Sequence, residues 1–195
     1  MIKHLRVYSN NIVRSCIVLL ALLFATLDLP AGEIQHAKVQ HKKGVYILEL
    51  DVVVASRYEP VLALVTDYEH LNRISEVLIE TSLISEANAE IKRRRLVVKT
   101  CILVFCFTAR MVEDVWEKEN TIITKIIPEL SDYKFGKTEW RVERVDAAHS
   151  RITLYCELEP SFWIPPLVGP FLVKQKMMAE AKKTIDRIEV LASDG

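Results

Sequence analysis

Residues 159–192 read EPSFWIPPLVGPFLVKQKMMAEAKKTIDRIEVLA, an aromatic loop punctuated by Pro160, Pro165, Pro166 and Pro170 and then a long polar-apolar run. In that run Phe171, Met178, Ala181, Ile185, Ile188 and Ala192 recur at helical steps and share one stripe. A closing helix with one apolar stripe needs a surface to cover, and the segments before it supply strands. The stretch therefore predicts an α+β fold in which a curved antiparallel sheet grips a C-terminal helix.

Working outward, residues 45–55 place Tyr46, Leu48, Leu50, Val52 and Val54 on one face, with Glu49 and Asp51 on the other. That alternation is a half-buried strand. Ser56-Arg57-Tyr58-Glu59 has the form of a capping box, which predicts a helix through Val61, Leu64 and Val65. Asp67 is placed to cap a second short helix through Tyr68, Leu71 and Ile74. Further strands are expected at 77–85, 90–100, 107–116, 121–127, 137–145 and 151–159, giving seven in all. The basic run Lys92-Arg93-Arg94-Arg95 lies inside one of them. Alternation splits it between two faces, which reads as an exposed strand guarded by charge and not as one anion-binding patch.

The first 31 residues are set apart. Lys3, Arg6 and Arg14 precede an apolar run at 16–27, and Leu29-Pro30-Ala31 offers a cleavage site. The run falls short of the roughly twenty residues that span a bilayer. A signal peptide at 1–31 is expected, and with it export to the periplasm; an uncleaved anchor is the alternative. Residues 32–43 are polar, contain His36 and His41 without further ligands at metal spacing, and read as a flexible leader before a domain at 44–195. The full chain balances 26 basic against 26 acidic residues, so no global charge calls for nucleic acid.

Cys101, Cys106 and Cys156 follow the leader. The apolar stretch 96–117 is too long for one strand and must turn, and the best place is between Cys101 and Cys106. In a straight strand the two would lie about 16 Å apart; at the base of a hairpin they face each other. A Cys101–Cys106 disulfide is expected ahead of either pairing with Cys156, which shares a face with Ile152, Leu154 and Leu158.

Connections in an antiparallel meander alternate between the two ends of the sheet. One end receives polar turns at 86–89, 118–120 and 146–150; the other receives 102–105, 130–135 and 162–171, which carry the aliphatic and aromatic loop residues. Apolar connections gathered at one end point to an apolar ligand, a lipid or a membrane surface. Catalytic signatures are missing: there is no nucleophile elbow, no zinc-binding helix motif, and glycine occurs five times in the chain. Asp132, in Ser131-Asp132-Tyr133, is the one weak candidate for a general base, with a structural turn as its other role.

Three segments carry a resemblance: Thr66-Asp67-Tyr68-Glu69-His70-Leu71, Ser131-Asp132-Tyr133 with Trp140 following, and Glu159-Pro160-Ser161-Phe162-Trp163-Ile164-Pro165-Pro166. With these the chain resembles the START-like helix-grip superfamily, in particular its polyketide cyclase/dehydrase and lipid-transport group with coenzyme Q-binding START domains. The resemblance implies a hydrophobic cavity between sheet and helix and the binding or transfer of a lipid, quinone or other isoprenoid, usually without catalysis; no cofactor and no metal are expected. It maps the ligand-binding set onto Tyr68, Leu71, Phe105, Phe107, Met111, Trp140, Phe162, Trp163, Phe171 and Met178. The expectation is an exported, monomeric binding or transport protein with transient membrane contact. The alternatives are a cyclase or dehydratase using Asp132 and a module that docks on a membrane or partner.

Overall fold

The computed structural model describes residues 32–193 apart from 89, 103–104 and 167; the expected signal peptide lies outside the described residues. The strands are β1 (Glu33–Lys42), β2 (Val45–Val54), β3 (Leu78–Asn88), β4 (Ile91–Ile102), β5 (Phe105–Lys118), β6 (Thr121–Ile126), β7 (Tyr133–Arg144) and β8 (Ser150–Pro160). They form one antiparallel sheet in the order β1-β2-β8-β7-β6-β5-β4-β3. Helix α1 (Tyr58–Thr66) and a 3-10 turn at Leu71–Arg73 follow β2, and helix α2 (Gly169–Ser193) closes the chain.

The sheet has eight strands where seven were expected, because residues 33–42 are a strand and not a flexible leader. Their polar sequence hides a strand that is paired on one side only, nine residues in register with β2. Ala37 and Val39 add the apolar contact, packing against the core. A two-residue turn joins β1 to β2, and both of its residues have positive φ, Lys43 at 51° and Gly44 at 90°.

The alternation in β2 is realised: Tyr46, Leu48, Leu50, Val52 and Val54 are all buried. The capping box is not. Arg57 occupies the N-cap of α1 without a side-chain bond, and the Ser56 hydroxyl donates instead to the carbonyl of Glu189 at 3.2 Å. The Ser150 hydroxyl donates to the Ser56 carbonyl at 2.7 Å, and the Ala55 amide donates to Glu189 Oε1 at 2.7 Å. A long-range clamp on the end of α2 thus outcompetes a local cap. Asp67 likewise leaves the cap of the 3-10 turn to His70 and holds the His70 ring, at 2.8 Å.

The fully buried side chains Val52, Val54, Val61, Val142, Ile152 and Ile188 belong to one core cluster with Ala181, Ile185 and Ala192 of α2. On α2 itself, Ala181, Ile185, Ile188 and Ala192 are buried as expected, but Phe171 is 58% exposed. The apolar stripe describes the half of the helix that meets close-packed core. Its first half faces something else.

Candidate functional site

That half covers a cavity of about 390 Å3. Pockets for small molecules run from about 300 to 1,000 Å3. The wall is built strand by strand from inward-facing positions: Leu96, Val98 and Thr100 on β4, Phe107 and Met111 on β5, Thr138 and Trp140 on β7, and Leu154, Cys156 and Leu158 on β8. From α2 come Leu172, Val173, Lys176, Met177, Glu180 and Thr184, and from the segment before it Phe162, Ile164 and Pro165. Val168 lines the cavity and is 55% exposed, so the cavity reaches the surface beside the start of α2.

Of the ligand-binding residues expected from sequence, the structure brings together Leu71, Phe107, Met111, Trp140 and Phe162 in this wall. Phe162 is fixed by ring contacts, stacked on Phe107 at 5.6 Å and edge-on to Tyr133 at 5.9 Å. The others fall elsewhere. Tyr68 is buried behind the wall, its ring beneath Arg94 at 4.9 Å. Trp163, 72% exposed, and Phe171 point outward from the segment whose neighbours line the cavity. Met178 is one residue off the lining face, which Met177 occupies. Phe105 opens β5, and its side chain lies outside the described residues.

The Cys101–Cys106 disulfide is present, and the two residues sit opposite each other at the tip of the β4–β5 hairpin. Cys156 is free, as expected. Burial pushes its thiol up to about 11, against a weak hydrogen bond from the Thr138 hydroxyl at 3.5 Å.

Four charged residues contribute to the wall, none of them anticipated. Arg94 Nη2 lies 2.6 Å from Glu113 Oε1, with both side chains almost wholly buried, and Arg94 Nε donates to the same oxygen at 2.7 Å. Glu113 Oε2 accepts from the Thr124 hydroxyl at 3.0 Å. Lys176 and Glu180 pair along α2 at 2.8 Å. Reading Lys92 to Arg95 as an exposed strand guarded by charge is therefore wrong for Arg94, which is 7% exposed. The signal was available: Arg94 has the parity of Leu96 and Val98, and Glu113 that of Met111 and Val115. The Thr100 hydroxyl is buried in the wall with no hydrogen-bond partner.

Asp132 does not belong to the wall. Its Oδ2 accepts the Arg110 amide at 2.7 Å and its own amide donates to the Arg110 carbonyl at 2.9 Å. The Ser131 hydroxyl accepts the Val112 amide at 2.9 Å and donates to the Val112 carbonyl at 3.2 Å. This pair stitches the loop before β7 to β5, which is the structural role.

No family model matches the chain, and no curated protein matches it. Solved structures do. A START superfamily protein from Mycobacterium smegmatis is similar at 17% identity and a TM-score of 0.60, over 74% of this chain and 98% of that one. The ZhuI aromatase/cyclase from Streptomyces sp. R1128 is similar at 15% identity and a TM-score of 0.59, over 76% and 93%. A STAR-related lipid transfer protein from Xanthomonas axonopodis is similar at 12% identity and a TM-score of 0.54, over 85% and 98%. The chain has the START-like helix-grip fold.

Proposed function

We propose that this protein is an exported carrier that holds a lipid, a quinone or another isoprenoid between the sheet and α2. The observation that carries this reading is the cavity. A void of this size leaves its lining side chains without packing partners on one side, which costs the fold stability that closure would recover. A module that only docked would have no reason to keep it open. Burying roughly 300 Å2 of an isoprenoid would contribute on the order of 7 kcal/mol before entropic costs, enough for micromolar affinity.

Export is supported by the composition of residues 1–31 and by the Cys101–Cys106 disulfide, which suits an oxidising compartment. Loading is proposed at a membrane surface, through the segment where Phe162, Ile164 and Pro165 face inward while Trp163, Val168 and Phe171 are exposed. The test is native mass spectrometry of protein purified from the exported fraction, before and after organic extraction. A mass excess removed by extraction is expected and identifies the cargo. A bare chain that also fails to take up any lipid or quinone on titration overturns the reading.

A further inference from the structure

The Cys101–Cys106 disulfide joins residues separated by only 5 in sequence, and a cross-link over so short a loop restricts the unfolded chain least. What it holds is local. Beyond it Ile102 pairs with Phe105, so Leu103 and Val104 connect the strands in sequence, and neither is of the Asn-Gly kind that two-residue connections favour. The covalent rung keeps the strand ends together where the connecting residues do not.

The next rung inward pairs Thr100 with Phe107, and both line the cavity. Alternation turns Cys101 and Cys106 to the outer face of the sheet, where both are exposed. Phe107 stacks on Phe162 at 5.6 Å, and Phe162 belongs to the segment that leads into α2. An exposed, reducible bond thus stands one rung from the ring contact that joins the sheet to that segment beside the cavity. Cys156 lies in the wall, on the opposite face.

We propose that this disulfide is a redox control on cargo exchange, in which reduction by a dithiol frays the hairpin end, loosens Phe107 from Phe162 and speeds the passage of ligand without unfolding the domain. This rests on the carrier reading above. One thiolate of the reductant attacks one sulfur of the pair and displaces the other as a thiolate, which takes up a proton. The reductant's second thiol then resolves the mixed disulfide, so the second cysteine leaves as a thiol and the reductant is oxidised to its own disulfide. The partner is a dithiol oxidoreductase that reaches the outer face, so the cavity can stay filled while it acts.

The experiment loads the full chain with N-phenyl-1-naphthylamine, a neutral apolar dye, and follows its loss to excess β-cyclodextrin by stopped-flow fluorescence before and after dithiothreitol. Alkylation and peptide mapping verify reduction at Cys101 and Cys106. Release is expected to be at least fivefold faster in the reduced protein, with its far-ultraviolet circular dichroism unchanged. Cys101→Ser/Cys106→Ser should release at the reduced rate with or without dithiothreitol; should that variant fail to fold, the native protein with dithiothreitol decides alone. Phe162→Ala, which removes the stacking partner, should release at one fast rate in both redox states, a coupling that a bond serving only stability would not show. Equal release rates before and after verified reduction overturn the proposal and leave the carrier reading standing. So does a disulfide that dithiothreitol reduces only in urea, or a reduced chain that loses its fold. A chain that takes up no dye in either redox state overturns both.

Discussion

Arg94 and Glu113 meet across neighbouring strands, Nη2 to Oε1 at 2.6 Å, with the guanidinium 4.9 Å from the centre of the Tyr68 ring and both residues in the cavity wall. A buried pair of this kind stabilises a fold little relative to well-packed apolar residues, but breaking it strands a charge. Arg94→Met alone is expected to cost about 3–5 kcal/mol, and Arg94→Met/Glu113→Leu to recover most of that, short of the native value by about 1–3 kcal/mol because the buried Thr124 hydroxyl loses its acceptor. Urea unfolding of the native protein and the two variants checks this. Additive losses in the double variant would show that each residue acts through its own packing and not through the pair.

Phe162 and Trp163 are adjacent in sequence and opposite in orientation. Phe162 stacks on Phe107 in the cavity wall while Trp163 is 72% exposed. Phe162→Ala is expected to weaken ligand binding at least tenfold, because the ring forms part of the surface that shields the ligand from water. Trp163→Ser with Phe171→Ser should leave stability within about 0.5 kcal/mol and leave affinity in detergent unchanged. It should abolish co-sedimentation with phosphatidylglycerol vesicles. Undiminished co-sedimentation of that double variant would remove membrane contact from this face.

Glu189 is a buried acid on α2 that receives the Ala55 amide at 2.7 Å. Its own backbone carbonyl takes the Ser56 hydroxyl. Glu189→Ala leaves the Ala55 amide without an acceptor and is expected to cost about 1–3 kcal/mol. Glu189→Gln keeps an oxygen in place and should cost less. Hydrogen exchange of residues 181–192 reads the effect locally: faster exchange is expected in the alanine variant. Unchanged protection there would mean that packing of Ile185 and Ile188 holds the helix without the clamp.

Structure was readable in the sequence where near neighbours decide it. Regular alternation was enough for β2, since Tyr46 to Val54 repeat without interruption and one face must be buried. The sorting of polar and apolar connections to opposite ends followed from strand parity, and the facing pair Cys101 and Cys106 from the excess length of 96–117 and the reach of a disulfide. What escaped was decided by partners distant in sequence. β1 has an edge strand's polarity and exists through its ladder to β2. Ser56 was drawn from its local cap by Glu189, 133 residues away. On the face of α2 toward the cavity Lys176, Glu180 and Thr184 interrupt Leu172, Val173 and Met177, so a search for one apolar stripe chose Phe171 and Met178 on a different face.

Cys156 gives the fold a pH dependence of known sign. Its thiol faces the cavity wall, and burial raises it from an ordinary value near 9 to about 11 in the folded chain. Below pH 9 the thiol is neutral in both states and its contribution is fully present. Between pH 9 and 11 the unfolded chain ionises first, so stability falls as pH rises; above 11 both states are ionised and the loss levels off. Cys156→Val is isosteric and does not titrate, so it should lose less stability than the native residue between pH 8 and 10.5. The difference should be on the order of 2 kcal/mol. Both proteins are compared by urea unfolding in a Cys101→Ser/Cys106→Ser background, so that an unfolded thiolate at 156 has no disulfide to attack. Equal losses would mean that water already reaches the sulfur through the cavity, and the thiol would then label with iodoacetamide at pH 8 in the folded protein.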